Sequence, residues 1–378
     1  MTSQCSPMTW KIEEIERDWG ATSALPGIVV DAFERVERIL GREWIAATRE
    51  RSGGHVPGPA PLLQVVSMGG RLSVLDAVEG EERLVRRLKQ HDASAEAELT
   101  AMHLLHSRNR TAEIEPEPDV VAGKSARKAD FRIRAPGEVW TYVEVTRPNI
   151  SEAGERIMAI LGRITDLVRE VKREFALEVF FRREPEDKEI EPLLVRIRQF
   201  CVDGKAEREE VDGLASLVLS DVRPGQIIPR QEHEGSATPR LCAAKVISGG
   251  AEPRRHIVAR VPYADKRADK FLADKAVQLP RDHPGLIMVD ASGAPTAFAS
   301  WAPILSRRFQ PDIRTWVSGL CLFAPQILLV NDNFLWVPQV RLHINPHAKR
   351  ALPQWMQQAL NEAARDFGLC LEAVQRPA

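Results

Sequence analysis

The chain has 378 residues, 44% of them hydrophobic and 28% charged, with a formal net charge of −1. That is room for two domains or one elaborated domain, and the near-neutral charge excludes a global electrostatic pull toward nucleic acid or an anionic membrane. The N-terminal stretch lacks a basic, then apolar leader, no apolar run is long enough to span a bilayer, and the five cysteines are scattered without a CxxC pair, so the expected setting is cytoplasmic, with reduced thiols and no cysteine zinc site.

In chain order, residues 9–50 read as helical, with Phe33, Val36, Ile39 and Leu40 on one apolar face. RSGGHVPGPAP at 51–61 is a loop by its Gly and Pro content. LLQVVSMGGRLSVLDAV suggests two short strands around Gly69 and Gly70, followed by a charged helix at 80–90. The next helix is 94–108, with Ser94 as its expected N-cap. Strands follow at about 112–117, 128–134 and 139–147, then a long helix at 151–175. LEVFFRRE reads as a strand, EDKEIEPLLVRIRQF as a helix and LASLVLS as a strand. From 223 to 254 the Pro, Gly, Gln, His and Ser content predicts irregular loops, interrupted by LCAAKVIS. HIVARVP, PGLIMVDAS, GLCLFA, QILLV and FLWVPQVRLHI are further strands, with helices at DKRADKFLADKAVQL and LPQWMQQALNEAARDF. Helices alternating with strands predict an α/β fold around a mixed sheet.

The hairpin KADFRIRAPGEVWTYVEVTR raises a chemical question. Strand side chains alternate with period two, so Asp130, Arg132 and Arg134 share one face of the first strand. Trp140, Tyr142, Glu144 and Thr146 share one face of the second, and the APGE turn permits an antiparallel pair in which these faces coincide. Asp130 and Glu144 then converge. Such acids are either solvated or paired with Arg132, Arg134 or Arg147, or they hold a cation between them. Hard carboxylate oxygens suit Mg²⁺ or Mn²⁺.

This stretch resembles the PD-(D/E)XK, or restriction-endonuclease-like, nuclease superfamily. The family's pattern is a helix bearing a glutamate, a strand with an aspartate, and a strand carrying acid–any–lysine. Here Glu98 lies on the helix, Asp130 in KADF, and Glu144-Val145-Thr146 at the acidic motif. The resemblance covers 94–147, and more loosely 264–292, where Lys275 and Gln278 look similar to a Lys or Gln that members place on a helix facing the metal. It implies a restriction-endonuclease-like α/β fold, with a mixed central sheet flanked by helices. An N-terminal helical and strand extension would cover 1–90, the core would run from 91 to 350 with an insertion at about 148–262, and the C-terminal helix would occupy 351–378. It also implies Mg²⁺- or Mn²⁺-dependent phosphodiester hydrolysis on DNA, with Asp130, Glu144 and Glu98 as the metal set and Glu98, Asp130, Glu144, Thr146, Lys275 and Gln278 as the catalytic set. No membrane partner is implied, and a homodimer is compatible with it. Thr146 departs from the pattern, since it stands where the family has lysine; Lys275 is the first candidate replacement and Lys128 the second. The alternative is a decayed site on the same fold, acting as a nucleic-acid- or protein-binding module.

Lys124, Arg127, Lys128 and Arg132, with Arg134, lie beside the site and are candidates to track a phosphate backbone. Their competing role is a basic strand edge that discourages edge-to-edge pairing. Glu115 or Glu117 in EIEPEPD is a candidate extra ligand, although an exposed acidic edge suits them better. Other patterns fail on spacing: AGKS has Pro118 where a phosphate-binding loop needs glycine, and Asn345-Pro346 interrupts His343 and His347.

Overall fold

Helices α1 (Gly27–Leu40), α2 (Arg42–Arg51) and α3 (Ala60–Leu72) are the first described elements, followed by α4 (Glu82–Lys89) and α5 (Ala93–His106). The computed structural model describes residues 27–51, 60–122, 125–204, 207–221, 239–249, 252–294, 296–330, 333–363 and 370–371. The expected helix at 9–26 lies outside them. The two strands expected around Gly69 and Gly70 are instead one helix, α3. Its apolar run reads as strand locally, but Val65, Val66, Met68 and Leu72 are all buried against neighbouring helices and sheet, which fixes the segment by packing rather than by propensity. Gly69 permits the close approach of α1: a Cβ there would lie 2.3 Å from the Ala32 carbonyl oxygen. Gly69→Val is therefore expected to destabilise this part of the protein by about 3 kcal/mol through overpacking. Gly70→Ala, where a Cβ meets nothing within 4 Å, should gain a few tenths to about 1 kcal/mol from helix propensity. Urea unfolding of both variants checks the pair, and equal effects would remove the close-packing explanation.

After α5 come short strands β1 (Glu113–Pro116), β2 (Asp119–Ala122), β3 (Ser125–Lys128) and β4 (Phe131–Arg134), then β5 (Thr141–Thr146). Strand β4 turns into β5 through Ala135-Pro136-Gly137-Glu138. The Glu138 N–H donates to the Ala135 carbonyl at 3.0 Å, and Gly137 takes φ +80°, the third-position requirement of a type II turn with proline before it.

In chain order there follow α6 (Glu152–Arg169), β6 (Phe175–Phe181), α7 (Asp187–Asp203), β7 (Arg208–Val211), β8 (Ala215–Ser220), β9 (Arg240–Gly249) and β10 (Glu252–Pro262). Next are α8 (Ala268–Ala276), β11 (Gly285–Asp290), α9 (Ala297–Ser300), α10 (Ala302–Arg308), β12 (Gly319–Val330), β13 (Asn333–Ile344), α11 (Gln354–Ala363) and β14 (Cys370–Leu371). GLCLFA and QILLV are thus a single strand, β12. Of the irregular stretch expected at 223–254, residues 223–238, 250 and 251 lie outside the described residues; the interrupting LCAAKVIS belongs to β9, residues 252–254 begin β10, and β7 was not anticipated.

The described residues fall into two units, one within 1–148, 269–292 and 305–378, the other within 149–268 and 293–304. The first has a seven-stranded mixed sheet in the order β1-β4-β5-β11-β12-β13-β14. Here β5 runs parallel to β11 and β11 parallel to β12, while β4–β5 and β12–β13 are antiparallel. Its core joins Phe33 and Val36 of α1, Leu84 and Leu88 of α4, and Leu99 and Met102 of α5 to Phe131, Val143 and Leu286 of the sheet. The described helices before residue 90 therefore share the core of that sheet. The second unit has its own five-stranded sheet, β7-β8-β6-β10-β9, and a separate core built by α6, α7 and these strands. The protein is α/β, with mixed sheets flanked by helices. Among the described residues no helix is long and apolar enough to cross a membrane, and Cys201 and Cys321 are buried free thiols.

Candidate active site

The hairpin register pairs Phe131 with Val143, Arg132 with Tyr142 and Ile133 with Thr141. Continued by one residue, that register sets Asp130 opposite Glu144. Phe131, Ile133, Val143 and Val145 face the core, so Asp130 and Glu144 lie on the other face. At Asp130 the main chain bends out of β4. Its carbonyl accepts from the Glu117 N–H at 2.9 Å, and its carboxylate turns back to accept from the Val145 N–H at 2.6 Å. The side chain thus takes over an acceptor role on β5 where the strand pairing ends.

Glu144 is fully buried, in the strand between β4 and β11. Its Oε2 accepts from Lys275 Nζ at 3.1 Å, and its Oε1 is buried without a hydrogen-bond partner. Lys275 occupies the last turn of α8, and that helix is held at both ends. Asp269 pairs with Arg308 at 2.7 Å and Arg314 at 3.4 Å, and Trp316 Nε1 donates to the Ala276 carbonyl at 2.7 Å. Leu272, Ala276 and Leu279 are buried, so packing as well as these end contacts holds the helix that carries Lys275.

Glu98 is also buried, on α5. That helix is apolar nearly all round, as a helix enclosed by other elements must be, and Ala95, Ala97, Leu99, Ala101 and Met102 are all buried. Its N-cap is Asp92 rather than Ser94: the Asp92 carboxylate accepts from the Ser94 N–H at 2.8 Å and the Ala95 N–H at 3.3 Å. Both Glu98 oxygens accept from Arg87 Nη1, at 2.7 and 3.0 Å.

The three carboxyls feel one another. Burial first, and the Asp130 charge second, push Glu144 up to about 8 and Glu98 up to about 7. Burial also raises Asp130, against the pull of Lys275. Two cations, Lys275 and Arg87, therefore do not neutralise the cluster. An unpartnered buried carboxylate oxygen beside like charges is costly unless a proton or a cation completes it.

The arginines named as competing partners are engaged elsewhere. Arg132 pairs with Glu115 at 2.5 Å and donates to the Tyr142 hydroxyl at 3.1 Å, while Arg134 pairs with Glu113 at 2.6 Å. Both guanidiniums stack on Trp140, at 4.5 and 4.3 Å from its ring centre. Trp140 is therefore covered by arginines. Arg147 pairs with Asp290 at 3.6 Å. The acids of EIEPEPD serve these basic residues: Glu117 pairs with Arg83 at 2.6 Å and lies 4.0 Å from Lys128.

The remaining sequence candidates divide. Thr146 is half-buried beyond Glu144 on β5, opposite Val289. Gln278 lies in the turn after α8, its N–H donating to the Lys275 carbonyl at 3.1 Å; its side chain makes no hydrogen bond to Asp130 or Glu144. Arg127 and Lys128 are exposed on β3, with Arg127 Nη1 donating to the Val277 carbonyl at 3.1 Å. Lys124 lies outside the described residues. Arg87 was not anticipated: ERLVRRLK offers nothing to separate it from Arg83 or Arg86.

Among the described residues no group of three or more His, Cys, Asp or Glu side chains gathers as a metal cage. The Asp130–Glu144 pair nonetheless suits Mg²⁺ or Mn²⁺, which bind through one or two carboxylates and complete their shell with water and phosphate. The orphaned Glu144 Oε1 is the observation that fits it. No family model, curated protein or solved structure matches this chain.

Proposed function

We propose that this protein is a metal-dependent nuclease of restriction-endonuclease-like type, hydrolysing phosphodiester bonds of DNA. The observation that carries this reading is the Lys275 ammonium 3.1 Å from Glu144, a lysine brought by α8 to the carboxylate whose own motif ends in threonine. Element order supports it too. The helix with Glu98, the strands leading to Asp130 and Glu144, and then a helix with lysine before a parallel strand follow the order that the resemblance implies.

In this reading Asp130 and Glu144 hold Mg²⁺ or Mn²⁺. When bound, the cation lowers the pKa of water and screens charge on the phosphoryl oxygens. The chain's own groups do the rest. The Val145 N–H fixes one Asp130 oxygen and leaves the other for a ligand. Glu144 fixes the Lys275 ammonium through Oε2 and presents Oε1. Lys275 sets a positive charge where negative charge develops as water attacks phosphorus and the P–O bond breaks. Phosphate tracking by Arg132 and Arg134 is weakened by their pairing with Glu115 and Glu113, which leaves the exposed Arg127 and Lys128 as the better contacts.

The second reading, a binding module with a decayed site, draws on Glu98, whose two oxygens are both occupied by Arg87. Supercoiled plasmid incubated with Mg²⁺ or Mn²⁺ separates the two. Nicking by the wild type that chelation stops and Asp130→Ala abolishes is the expected result. No cleavage with either metal would favour the binding module.

A further inference from the structure

Arg87 ties together three parts of the first unit. Its Nε donates to Asp92 Oδ2 at 2.8 Å, and the other oxygen of Asp92 caps α5. Its carbonyl accepts from the Asp92 N–H at 3.1 Å, and its Nη1 holds both oxygens of Glu98. The neighbouring Leu88 is fully buried and anchors α4 in the core. The guanidinium is therefore fixed from both sides, and a charge-assisted contact with a buried carboxylate is among the stronger polar interactions. Glu98 lies close enough to Asp130 for their charges to interact, yet it spends both oxygens on Arg87. Among the described residues, the Val145 N–H engages one Asp130 oxygen and Glu144 Oε1 has no hydrogen-bond partner.

From this arrangement we infer that Arg87 is a positioning residue that withholds Glu98 from the cation, so that Asp130 and Glu144, and not Glu98, supply its side-chain carboxylates among the described residues. This rests on the cation-binding reading above. The physical consequence concerns charge count. Affinity for hard cations rises with the number of anionic ligands, so releasing Glu98 should strengthen binding, whereas removing the charge of Glu98 should change little.

Calorimetric titration of the full chain with Mn²⁺ alone tests this. Asp130→Asn is expected to lower affinity by at least about ten-fold, and Glu98→Gln to leave it within about three-fold. Arg87→Ala is expected to tighten binding about ten-fold, and the double variant Arg87→Ala, Glu98→Gln to return it to the wild-type value. A purely structural role for Arg87 would weaken binding in both Arg87 variants and is not reversed by the second substitution. If Arg87→Ala fails to fold, Glu98→Gln still decides: a loss equal to that of Asp130→Asn makes Glu98 a ligand and overturns the inference alone. Wild-type protein that binds no Mn²⁺, or an Asp130→Asn variant that binds it unchanged, overturns the cation-site reading and this inference with it.

Discussion

Lys275→Ala is expected to slow metal-dependent plasmid cleavage by about 100- to 1,000-fold, the usual cost of deleting one preorganised charge that stabilises a transition state. The loss has two sources. The ammonium no longer faces the developing negative charge, and Glu144 loses the Lys275 hydrogen bond to its Oε2. Because Lys275 also favours the ionised form of Glu144, its removal raises that carboxyl further, and part of the defect should be recoverable by raising pH or metal concentration. On the proposed nuclease reading, the part that is not recovered is the catalytic contribution.

A rescue variant separates position from identity. Thr146 stands on the same face of β5 as Glu144, two residues on, where the resemblance implies a lysine. Thr146→Lys in the Lys275→Ala background is expected to restore cleavage by at least about ten-fold, since one cation would replace another near the same carboxylate. Cleavage rates for the single and double variants, measured under single-turnover conditions, check both statements. Wild-type activity in Lys275→Ala would remove the lysine from the mechanism.

The hairpin was legible because its information is local. Period-two alternation assigns Asp130 and Glu144 to one face, and Pro136-Gly137 closes the turn in the register that sets them opposite each other. What local pattern does not carry is which competing cation takes which acid. Arg132 and Arg134 are adjacent to the site in sequence and on the same face, yet Glu115 and Glu113 on β1 claim them across the sheet. Lys275 is 131 residues from Glu144, and only the resemblance singled it out. Arg87 had no signal at all, because its role depends on how α4 packs beside α5. The misreading of α3 has the same root. An apolar run with a Gly-Gly pair is ambiguous in isolation, and the contact with Ala32 that makes Gly69 useful is a tertiary fact. Ser94 fits a cap by residue type, but Asp92, two positions earlier, has the same capping chemistry and takes the role.

Metal-free Glu144→Gln protein is expected to be more thermally stable than the wild type at about pH 9, by on the order of 5 °C, if roughly 2 kcal/mol of ionisation penalty is relieved. The sign follows from the direction of the shift. Burial, then the charge of Asp130, raise the Glu144 carboxyl from its ordinary value of 4.5 to about 8, so the folded state keeps a proton that the unfolded chain has released. Stability from this group is fully present below about pH 4.5 and is lost as pH rises through about 8. The advantage of glutamine should therefore vanish toward about pH 4 and grow through neutrality. Neighbouring charges do not reverse it: Lys275 opposes the shift, and Glu144 stays raised despite it. Mn²⁺ added at about pH 9 should then close the gap, because a ligand that binds only the folded state raises its melting temperature and the wild type alone retains the full carboxylate pair. Calorimetric scans across pH, with and without Mn²⁺, check each step. A difference between the two proteins that does not change with pH would mean that Glu144 is satisfied without a cation. A pH-dependent gap that Mn²⁺ closes would tie the instability of this strand directly to the chemistry proposed for it, since the charge that destabilises the metal-free protein would be the charge that binds.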